Sequence, residues 1–280
     1  MKQTTDYFKK QLSSLYSPSE IRSFLRISLE HVCGWKPYEV LLYAEETLAE
    51  ERRLRLFEVA RRLKRNEPIQ YILGEGRLGV LDFEVNPAVL IPRPETEEMV
   101  SLIEKDWKDK GECSIVDIGT GSGCIAISLA MRLPNAELWA TDVSQAALAV
   151  AKRNAERHGV RVNFLCSDAL LGRLPIEKPL DVIVSNPPYI LEKEKETMEQ
   201  NVLAYEPHLA LFVPNDDPLL FYRCIARMAM GALKPKGMLF FEINEAYAAE
   251  MLTLLEGEGF KNAVSIQDFY GKDRIIKASK

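Results

Sequence analysis

The residues best suited to chemistry stand together at Asn186-Pro187-Pro188-Tyr189, directly after the apolar run Val182-Ile183-Val184. The run predicts a buried strand, and the chain must leave the sheet at the prolines because they lack an N–H group. An Asn amide, proline carbonyls and an aromatic ring suit a planar NH2 group. Asn186 and a proline carbonyl would accept its two N–H bonds while Tyr189 covers its face. The alternative is a plain strand-ending turn, since Asn-Pro often begins turns.

A second cluster, rich in glycine, follows a predicted strand at residues 114–118. It comprises Gly119, Thr120, Gly121, Ser122 and Gly123. Glycine lets the backbone approach a ligand, and the next helix offers free N–H groups at its start. Asp142 ends the following strand, where a carboxylate can accept both hydroxyls of a ribose. The pattern predicts a nucleoside-containing ligand. A structural glycine turn with Asp142 as a helix cap is the alternative.

The glycine spacing narrows the choice of nucleoside. The glycines stand at i, i+2 and i+4, whereas the dinucleotide fingerprint has i, i+2 and i+5, and the chain has no Gly-Lys-Ser/Thr phosphate loop. A nicotinamide oxidoreductase is therefore disfavoured. A third strand ends at Cys166-Ser167-Asp168-Ala169. Asp168 would bring another carboxylate to the same crevice, where it suits an exocyclic amine such as that of adenine.

The glycine loop, Asp142, Asp168 and Asn-Pro-Pro-Tyr at successive strand ends resemble class I S-adenosylmethionine methyltransferases. Further motifs lie at residues 68–74 (Pro-Ile-Gln-Tyr-Ile-Leu-Gly), 90–97 (Leu-Ile-Pro-Arg-Pro-Glu-Thr-Glu) and 271–274 (Gly-Lys-Asp-Arg). With them the whole chain resembles the release-factor glutamine methyltransferase family. The resemblance implies S-adenosylmethionine as cofactor. It also implies the substrate, which is the glutamine of the Gly-Gly-Gln loop of class I peptide chain release factors. This glutamine would be methylated on its side-chain nitrogen (N5).

The resemblance also implies roles for individual residues. Cofactor binding falls to Gly119, Thr120, Gly121, Ser122, Gly123, Asp142, Asp168 and Asn186. Substrate binding falls to Asn186, Pro187, Pro188 and Tyr189, of which Asn186, Pro187 and Tyr189 are the catalytic residues. Arg93 is a contributor to the pocket floor. Ala169 departs from the family, which often has an aromatic residue there, and this weakens the expectation of adenine stacking.

No general base is evident beside these motifs. An amide nitrogen is a poor nucleophile, but proximity and orientation can supply several kcal/mol, about 7–11 in favourable cases. The three histidines, His31, His158 and His208, lie outside the motif strands, and we expect them to be structural or on the surface. The hypothesis is therefore that the Asn186 corner acts by holding the amide nitrogen on the line of methyl transfer.

An alternating series of elements after residue 111 positions these motifs. Strands are predicted at 114–118, 137–141, 162–166, 181–185 and 238–243, with a closing pair at 263–266 and 274–278. Helices are predicted at 122–132, 145–158, 217–233 and 246–257. Such alternation predicts an α/β fold with a Rossmann-like, mostly parallel sheet, helices on both faces and one antiparallel strand near the C-terminus.

The remainder of the chain is predicted to be helical, with a short hairpin. Residues 1–75 form a small helical substrate-recognition domain, in which Ser17-Pro18-Ser19-Glu20 is a capping box for a helix that Gly34 ends. A second helix covers 45–65, and its basic residues form either a solvated face or a docking surface for an acidic or RNA-containing partner. A β-hairpin linker covers 76–94, with strands as far as residues 88–90, and a helix follows at 98–108. The methyltransferase domain covers 95–280.

Composition bears on the partners. The net charge is −5, whereas a protein that binds along a nucleic acid is usually basic. This weighs against the main alternative, an adenine-N6 methyltransferase acting on DNA or RNA, and no stable nucleic-acid binding is expected. A non-catalytic binding module is disfavoured because all the motifs are intact.

The cysteines and the hydropathy of the chain indicate the cellular compartment in which the protein is expected. The five cysteines are scattered and form no Cys-x-x-Cys, which predicts mostly buried free thiols in a reducing compartment. No signal-peptide pattern or long apolar run is evident. We therefore expect a cytoplasmic protein with no membrane partner.

Overall fold

A computed structural model of the chain describes residues 1–43 and 45–280. The helices are α1 Lys2–Leu12, α2 Pro18–Cys33, α3 Pro37–Leu42, α4 Glu50–Leu63, α5 Ile69–Leu73, α6 Pro94–Trp107, α7 Cys124–Arg132, α8 Gln145–His158, α9 Gln200–Tyr205, α10 Leu220–Ala232 and α11 Ala248–Gly257. The strands are β1 Glu75–Leu78, β2 Leu81–Glu84, β3 Cys113–Ile118, β4 Ala136–Asp142, β5 Asn163–Cys166, β6 Leu180–Ser185, β7 Ile190–Leu191, β8 Phe212–Val213, β9 Leu233–Glu242, β10 Lys261–Gln267 and β11 Asp273–Ser279. None of the helices in the described ranges is both long and apolar enough to cross a membrane.

The chain forms two compact units, each with its own core. Residues 1–75 and 199–205 form the helical unit, and residues 76–198 and 206–280 form the sheet unit. The core of the helical unit includes Phe8, Leu12, Leu29, Leu56 and Leu63, which are almost completely buried. The functional division into domains at residues 75 and 94 stays a prediction.

Within the helical unit, α2 begins and ends as its sequence predicts. The Ser17 hydroxyl accepts from the Glu20 N–H at 3.3 Å, and the Glu20 carboxylate accepts from the Ser17 N–H at 2.8 Å. Gly34 ends the helix in the left-handed region at φ +69°. The second expected helix is shorter than predicted. It begins at Glu50, where two acidic residues in the first turn complement the helix dipole.

The sheet unit contains the α/β fold that the sequence predicts. Its large sheet has the strand order β10-β11-β9-β6-β3-β4-β5, in which the five strands from β9 to β5 are parallel. β11 is antiparallel to both β9 and β10. Two apolar clusters are built on the strands, one with α6 and α7 and the other with α10 and α11. The central pair β3 and β6 ends at the glycine loop and at Asn186, so both motifs lie at one edge of the sheet.

The structure corrects the predicted elements in three places. The hairpin ends at Glu84, because Asn86 forms a turn in which its side chain accepts from the Ala88 N–H at 2.9 Å. The helix predicted at 98–108 begins at Pro94, since proline is well suited to a first helical turn. The small sheet of β7 and β8 was not predicted, because two-residue strands leave no periodic signal.

The cysteines are all free, but they are not uniformly buried. Cys113 and Cys124 are buried, Cys33 and Cys224 are half-buried, and Cys166 is exposed. The expectation of mostly buried thiols is therefore wrong for Cys166. It ends β5, which has a neighbour on only one side and so offers less cover.

Candidate active site

The glycine loop leaves β3 with its backbone open toward a cavity. Gly119 and Gly121 have φ values of +74° and +55°, which glycine adopts without strain. A Cβ atom at either residue would meet nothing within 4 Å. The N–H groups of Gly119 and Thr120 donate to the Thr141 carbonyl at 2.8 and 2.9 Å. The loop is thus held against the end of β4, with space beside it for a ligand.

Gly123 has a different environment from the other two glycines. A Cβ atom there would lie 2.9 Å from Ile127 Cδ1 and 3.1 Å from Ala151 Cβ. Its φ of +82° is also in the left-handed region. Gly123 therefore permits α7 and α8 to approach each other closely. It does not line the cavity, and its expected role in cofactor binding stays a prediction.

Asp142 ends β4 beside the loop and is bound by backbone groups. Its Oδ2 accepts from the Gly121 N–H at 2.9 Å, and its Oδ1 accepts from the Ser144 N–H at 2.8 Å. Burial raises the pKa of Asp142, and these hydrogen bonds oppose the shift. Each carboxylate oxygen can accept more than one hydrogen bond. Asp142 therefore keeps acceptor capacity for a ligand hydroxyl.

Two buried side chains support the glycine loop from behind. Asp117 is fully buried on β3, and its Oδ2 accepts from the Thr120 hydroxyl at 2.6 Å. Burial raises the pKa of Asp117 to about 7, against the hydrogen bond from Thr120. On α8, the Asn154 side chain donates to the Ser122 carbonyl at 2.9 Å. The loop is thus preorganised by the fold.

The Asn-Pro-Pro-Tyr corner leaves the sheet at the end of β6, next to the glycine loop. The Ser185 hydroxyl donates to the Ile118 carbonyl at 2.7 Å, which joins the ends of β6 and β3. Asn186 and both prolines line the cavity. Tyr189 does not, since its ring packs against the apolar cluster that contains α10. Burial raises the pKa of the Tyr189 hydroxyl, and the charge of Glu242 adds to the shift.

These motifs share one cavity of about 400 Å³, a size typical of sites for small molecules. Of the predicted site residues, the cavity is lined by Gly119, Thr120, Gly121, Ser122, Asp142, Asp168, Asn186, Pro187 and Pro188. Ala169 and Arg93 line it as well. The Asp168 Oδ1 accepts from the Leu170 N–H at 2.8 Å and caps a short 3-10 helix. The loop, the carboxylates and the Asn186 corner therefore meet at a single site.

A buried ion pair forms part of the cavity wall. Arg93 donates to the Glu206 Oε1 at 2.5 Å, and the Glu206 side chain is only 1% exposed. The Ile91 N–H donates to the other Glu206 oxygen at 3.1 Å. The Arg93 side chain is one-third exposed. Its cation therefore neutralises a carboxylate that the fold has removed from water.

A second buried carboxylate lies behind Asn186. Glu242 ends β9, which runs parallel to β6 with Phe241 opposite Ser185. Glu242 is 1% exposed, and its Oε2 accepts from the Thr96 hydroxyl at 2.7 Å. The register of β9 against β6 places Glu242 next to Asn186. The Leu-Ile-Pro-Arg-Pro-Glu-Thr-Glu motif thus contributes to the same site through Thr96.

Sequence reasoning did not identify Thr96, Glu206 or Glu242 as site residues. Glu242 carried a readable signal, because an ionisable residue inside the apolar stretch 238–243 is unusual in a central strand. Glu206 carried none, since its partner Arg93 is 113 positions away along the chain. Asn186 lines the cavity, its predicted role stays a prediction, and its position next to Glu242 was not predicted.

The comparisons with known proteins agree with this architecture. A family model described as "Methyltransferase small domain" matches residues 96–208, and one described as "PrmC N-terminal domain" matches residues 3–74. A methyltransferase from Pyrococcus furiosus has a similar fold, with a TM-score of 0.52, 22% identity and coverage of 71% of this chain and 89% of its own. The RsmC ribosomal RNA methyltransferase from T. thermophilus was solved with AdoMet and guanosine. It has a TM-score of 0.50 and 17% identity, with coverage of 74% of this chain and 49% of its own. Fold and site define a Rossmann-like methyltransferase.

Curated relatives narrow the class further. The release factor glutamine methyltransferase of Bacteroides thetaiotaomicron is 42% identical over 280 residues and covers 100% of each chain. That of Flavobacterium psychrophilum is 45% identical over 275 residues, covering 97% of this chain and 96% of its own. The chain belongs to the release factor glutamine methyltransferase family. The relatives support this assignment and not the adenine-N6 alternative.

Proposed function

We propose that this chain transfers a methyl group from S-adenosylmethionine to the side-chain nitrogen of the glutamine in the Gly-Gly-Gln loop of class I peptide chain release factors. The observation that carries the proposal is the single cavity that joins the glycine loop, Asp142 and the Asn186 corner. The names of the full-length relatives support the same substrate. Since that substrate is a translation protein, we propose that the enzyme acts in the cytoplasm.

The residues around the cavity fit the cofactor. The open space beside Gly119 and Gly121 lets a ligand approach the backbone closely. Asp142 has acceptor capacity for the ribose hydroxyls, and Asp168, which lines the same cavity, would accept from the adenine amino group. When bound, S-adenosylmethionine supplies a methyl group activated by its attachment to a positively charged sulfur.

The chain's own contribution to the reaction is to hold the substrate amide. Asn186 Oδ1 and the Pro187 carbonyl accept the two N–H bonds of the glutamine side chain, so its nitrogen points into the cavity. The fixed φ of the prolines keeps this corner stiff. The nitrogen loses one proton to water as it gains the methyl group. Orientation of this kind can supply about 7–11 kcal/mol in favourable cases, so the reaction needs no strong base.

Two nearby groups that could act as nucleophile or base are held neutral. The Cys124 thiol lines the cavity, and burial raises its pKa to about 12, so it does not ionise near neutral pH. The Tyr189 hydroxyl is likewise held protonated by burial. This is consistent with direct methyl transfer and no covalent enzyme intermediate.

A transfer assay tests the proposal. The purified chain is incubated with labelled S-adenosylmethionine and either a class I release factor or duplex DNA. We expect label on the release factor and none on the DNA. Asn186→Ala serves as the loss-of-function control. Label on DNA alone would support the adenine-N6 alternative, and label on neither substrate would contradict the proposal.

A further inference from the structure

Two aromatic side chains are exposed at the tip of the hairpin formed by β10 and β11. Phe269 is 89% exposed and Tyr270 is 74% exposed. Their rings pack edge to face with centroids 6.0 Å apart, so they form one continuous apolar surface. Residues 268–272, which carry this surface, are called the aromatic hairpin loop below. Contiguous exposed apolar surface on a soluble protein often marks an interaction site.

The aromatic hairpin loop is held in place by hydrogen bonds to both its backbone and its side chains. The buried Asp268 carboxylate accepts from the Tyr270 N–H at 2.9 Å and from the Arg274 Nε at 3.2 Å. Outside the hairpin, Glu98 on α6 accepts from the Phe269 N–H at 3.1 Å. The rings are thus presented on a preorganised backbone, which reduces the entropy that binding costs.

The loop lies at the same edge of the sheet as the candidate active site. β11 is antiparallel to β9, with Ile275 opposite Glu242, and β9 is parallel to β6, with Phe241 opposite Ser185. The start of β11 is therefore level with the Asn186 corner. Only β9 separates β11 from β6, so the two strands are about 10 Å apart. A protein whose glutamine reaches the corner therefore extends over this edge of the sheet.

The size of the aromatic surface indicates the kind of contact that it makes. Two aromatic side chains together can bury about 300 to 500 Å². A stable protein–protein interface needs about 800 Å² from each partner. The two rings alone are therefore too small to hold a second copy of this chain. They are large enough to strengthen a contact that is anchored elsewhere, and a glutamine side chain in the cavity is such an anchor.

The charges beside the rings favour a protein partner over one that carries phosphate groups. Lys272 Nζ donates to Glu245 Oε1 at 3.0 Å, and Arg274 is paired with Asp268. Both cations of the segment 268–274 are thus already paired with carboxylates, whereas phosphates are bound through available lysine and arginine side chains. Aromatic side chains are instead enriched at the energetically dominant positions of protein–protein interfaces.

We propose that Phe269 and Tyr270 form a docking surface for the release factor and contact it outside its Gly-Gly-Gln loop. The proposal rests on the proposed function for the identity of the partner. The two rings contribute to affinity, because they cover apolar surface of the release factor when its glutamine enters the cavity. They do not touch the reacting atoms, since neither residue lines the cavity.

A double variant tests this role by steady-state kinetics. In Phe269→Ser/Tyr270→Ser, the KM for a full-length class I release factor should rise by about tenfold to a hundredfold, which is typical when dominant interface aromatics are truncated. Both kcat and the dissociation constant of S-adenosylhomocysteine should stay within a few-fold of wild type, because the cavity is unchanged. Val80→Ser is the matched control. It removes an 88% exposed apolar side chain between β1 and β2 and should keep the wild-type KM.

Photo-crosslinking tests the contact without turnover. Replacing Phe269 with the photoreactive residue benzoylphenylalanine keeps an aromatic ring at an exposed position, so the fold is retained. Illumination in the presence of S-adenosylhomocysteine and the release factor should give an adduct between the two proteins. The same replacement of Val80 should give none.

The two experiments separate this proposal from the proposed function. A wild-type KM in the double variant overturns the docking surface, and so does the absence of an adduct from position 269. An adduct with a second copy of this chain in place of the release factor also overturns it. Methylation of no release factor, together with an adduct from position 269, would refute the proposed function and support the docking surface. Neither methylation nor an adduct would refute both.

Discussion

Replacing Glu242 with glutamine should stabilise the fold at alkaline pH. The carboxyl has an ordinary pKa of 4.5 and a pKa of about 7 in the folded chain, chiefly because burial disfavours its charged form. The folded state therefore holds this proton more tightly than the unfolded state. The stability that Glu242 contributes is therefore full below pH 4.5, decreases as the pH rises from 4.5 to about 7, and is lost above that.

The size of the effect follows from the two pKa values. A shift of one pKa unit corresponds to about 1.4 kcal/mol. Between pH 5 and pH 8 the free energy of unfolding should lose about 2 to 3 kcal/mol through Glu242 alone. Glutamine carries no charge at either pH, so the variant should lack this loss. Other carboxylates titrate equally in both proteins and cancel in the comparison.

Urea unfolding followed by tryptophan fluorescence measures this difference. Replacing Trp35, which lies in the helical unit, with Phe leaves the signal to Trp107 and Trp139 in the sheet unit. Between pH 5 and pH 8 the wild type should lose about 2 to 3 kcal/mol more of its free energy of unfolding than Glu242→Gln does. Equal pH dependence in the two proteins would refute the conclusion that a buried, titrating carboxyl lies at position 242.

Three further predictions concern the site and its support. Asn186→Ala should abolish detectable turnover and leave the dissociation constant of S-adenosylhomocysteine within a few-fold, as measured by calorimetry; a near-normal rate would contradict the proposed mechanism. Gly123→Ala should cost about 2 kcal/mol or more in unfolding free energy, because its Cβ would overlap Ile127 and Ala151. Gly121→Ala has room for the Cβ, so its folding cost should be limited to the backbone strain at φ +55°, about 1 kcal/mol, and its main effect should be weaker cofactor binding. An equal loss of cofactor affinity in both variants would refute this distinction. Arg93→Met should destabilise the sheet unit by about 3 kcal/mol in urea unfolding, since it leaves the Glu206 carboxylate buried and unpaired. Adding Glu206→Gln should recover much of that loss, and no recovery would refute the ion-pair argument.

The sheet and the place of its site could be predicted from sequence because their signals are local. β3 and β6 are β-branched, apolar runs that end at glycine or proline, and these residues mark the exits from the sheet. Alternation of strands and helices then brings the carboxyl ends of parallel strands to one edge. Knowledge of strand ends alone was enough to group the glycine loop, Asp142 and Asn186.

The supporting contacts could not be predicted, because they depend on pairing between distant segments. Glu242 lies next to Asn186 only because of the register of β9 against β6, and Thr96 donates to Glu242 across 146 positions of the chain. The different role of Gly123 depends on the approach of α8, which spacing within the motif cannot reveal. The turn at Asn86 was missed because the alternating pattern around it resembles a strand.

The central claim is that the Asn186 corner presents a glutamine side-chain nitrogen for methylation. The most direct test is peptide fragmentation mass spectrometry on a class I release factor after incubation with the chain and S-adenosylmethionine. A release factor with glutamate in place of the Gly-Gly-Gln glutamine is the matched control. The account predicts one added methyl group, on the side chain of that glutamine, and none on the glutamate protein. A methyl group on another residue, or equal methylation of the control, would contradict it.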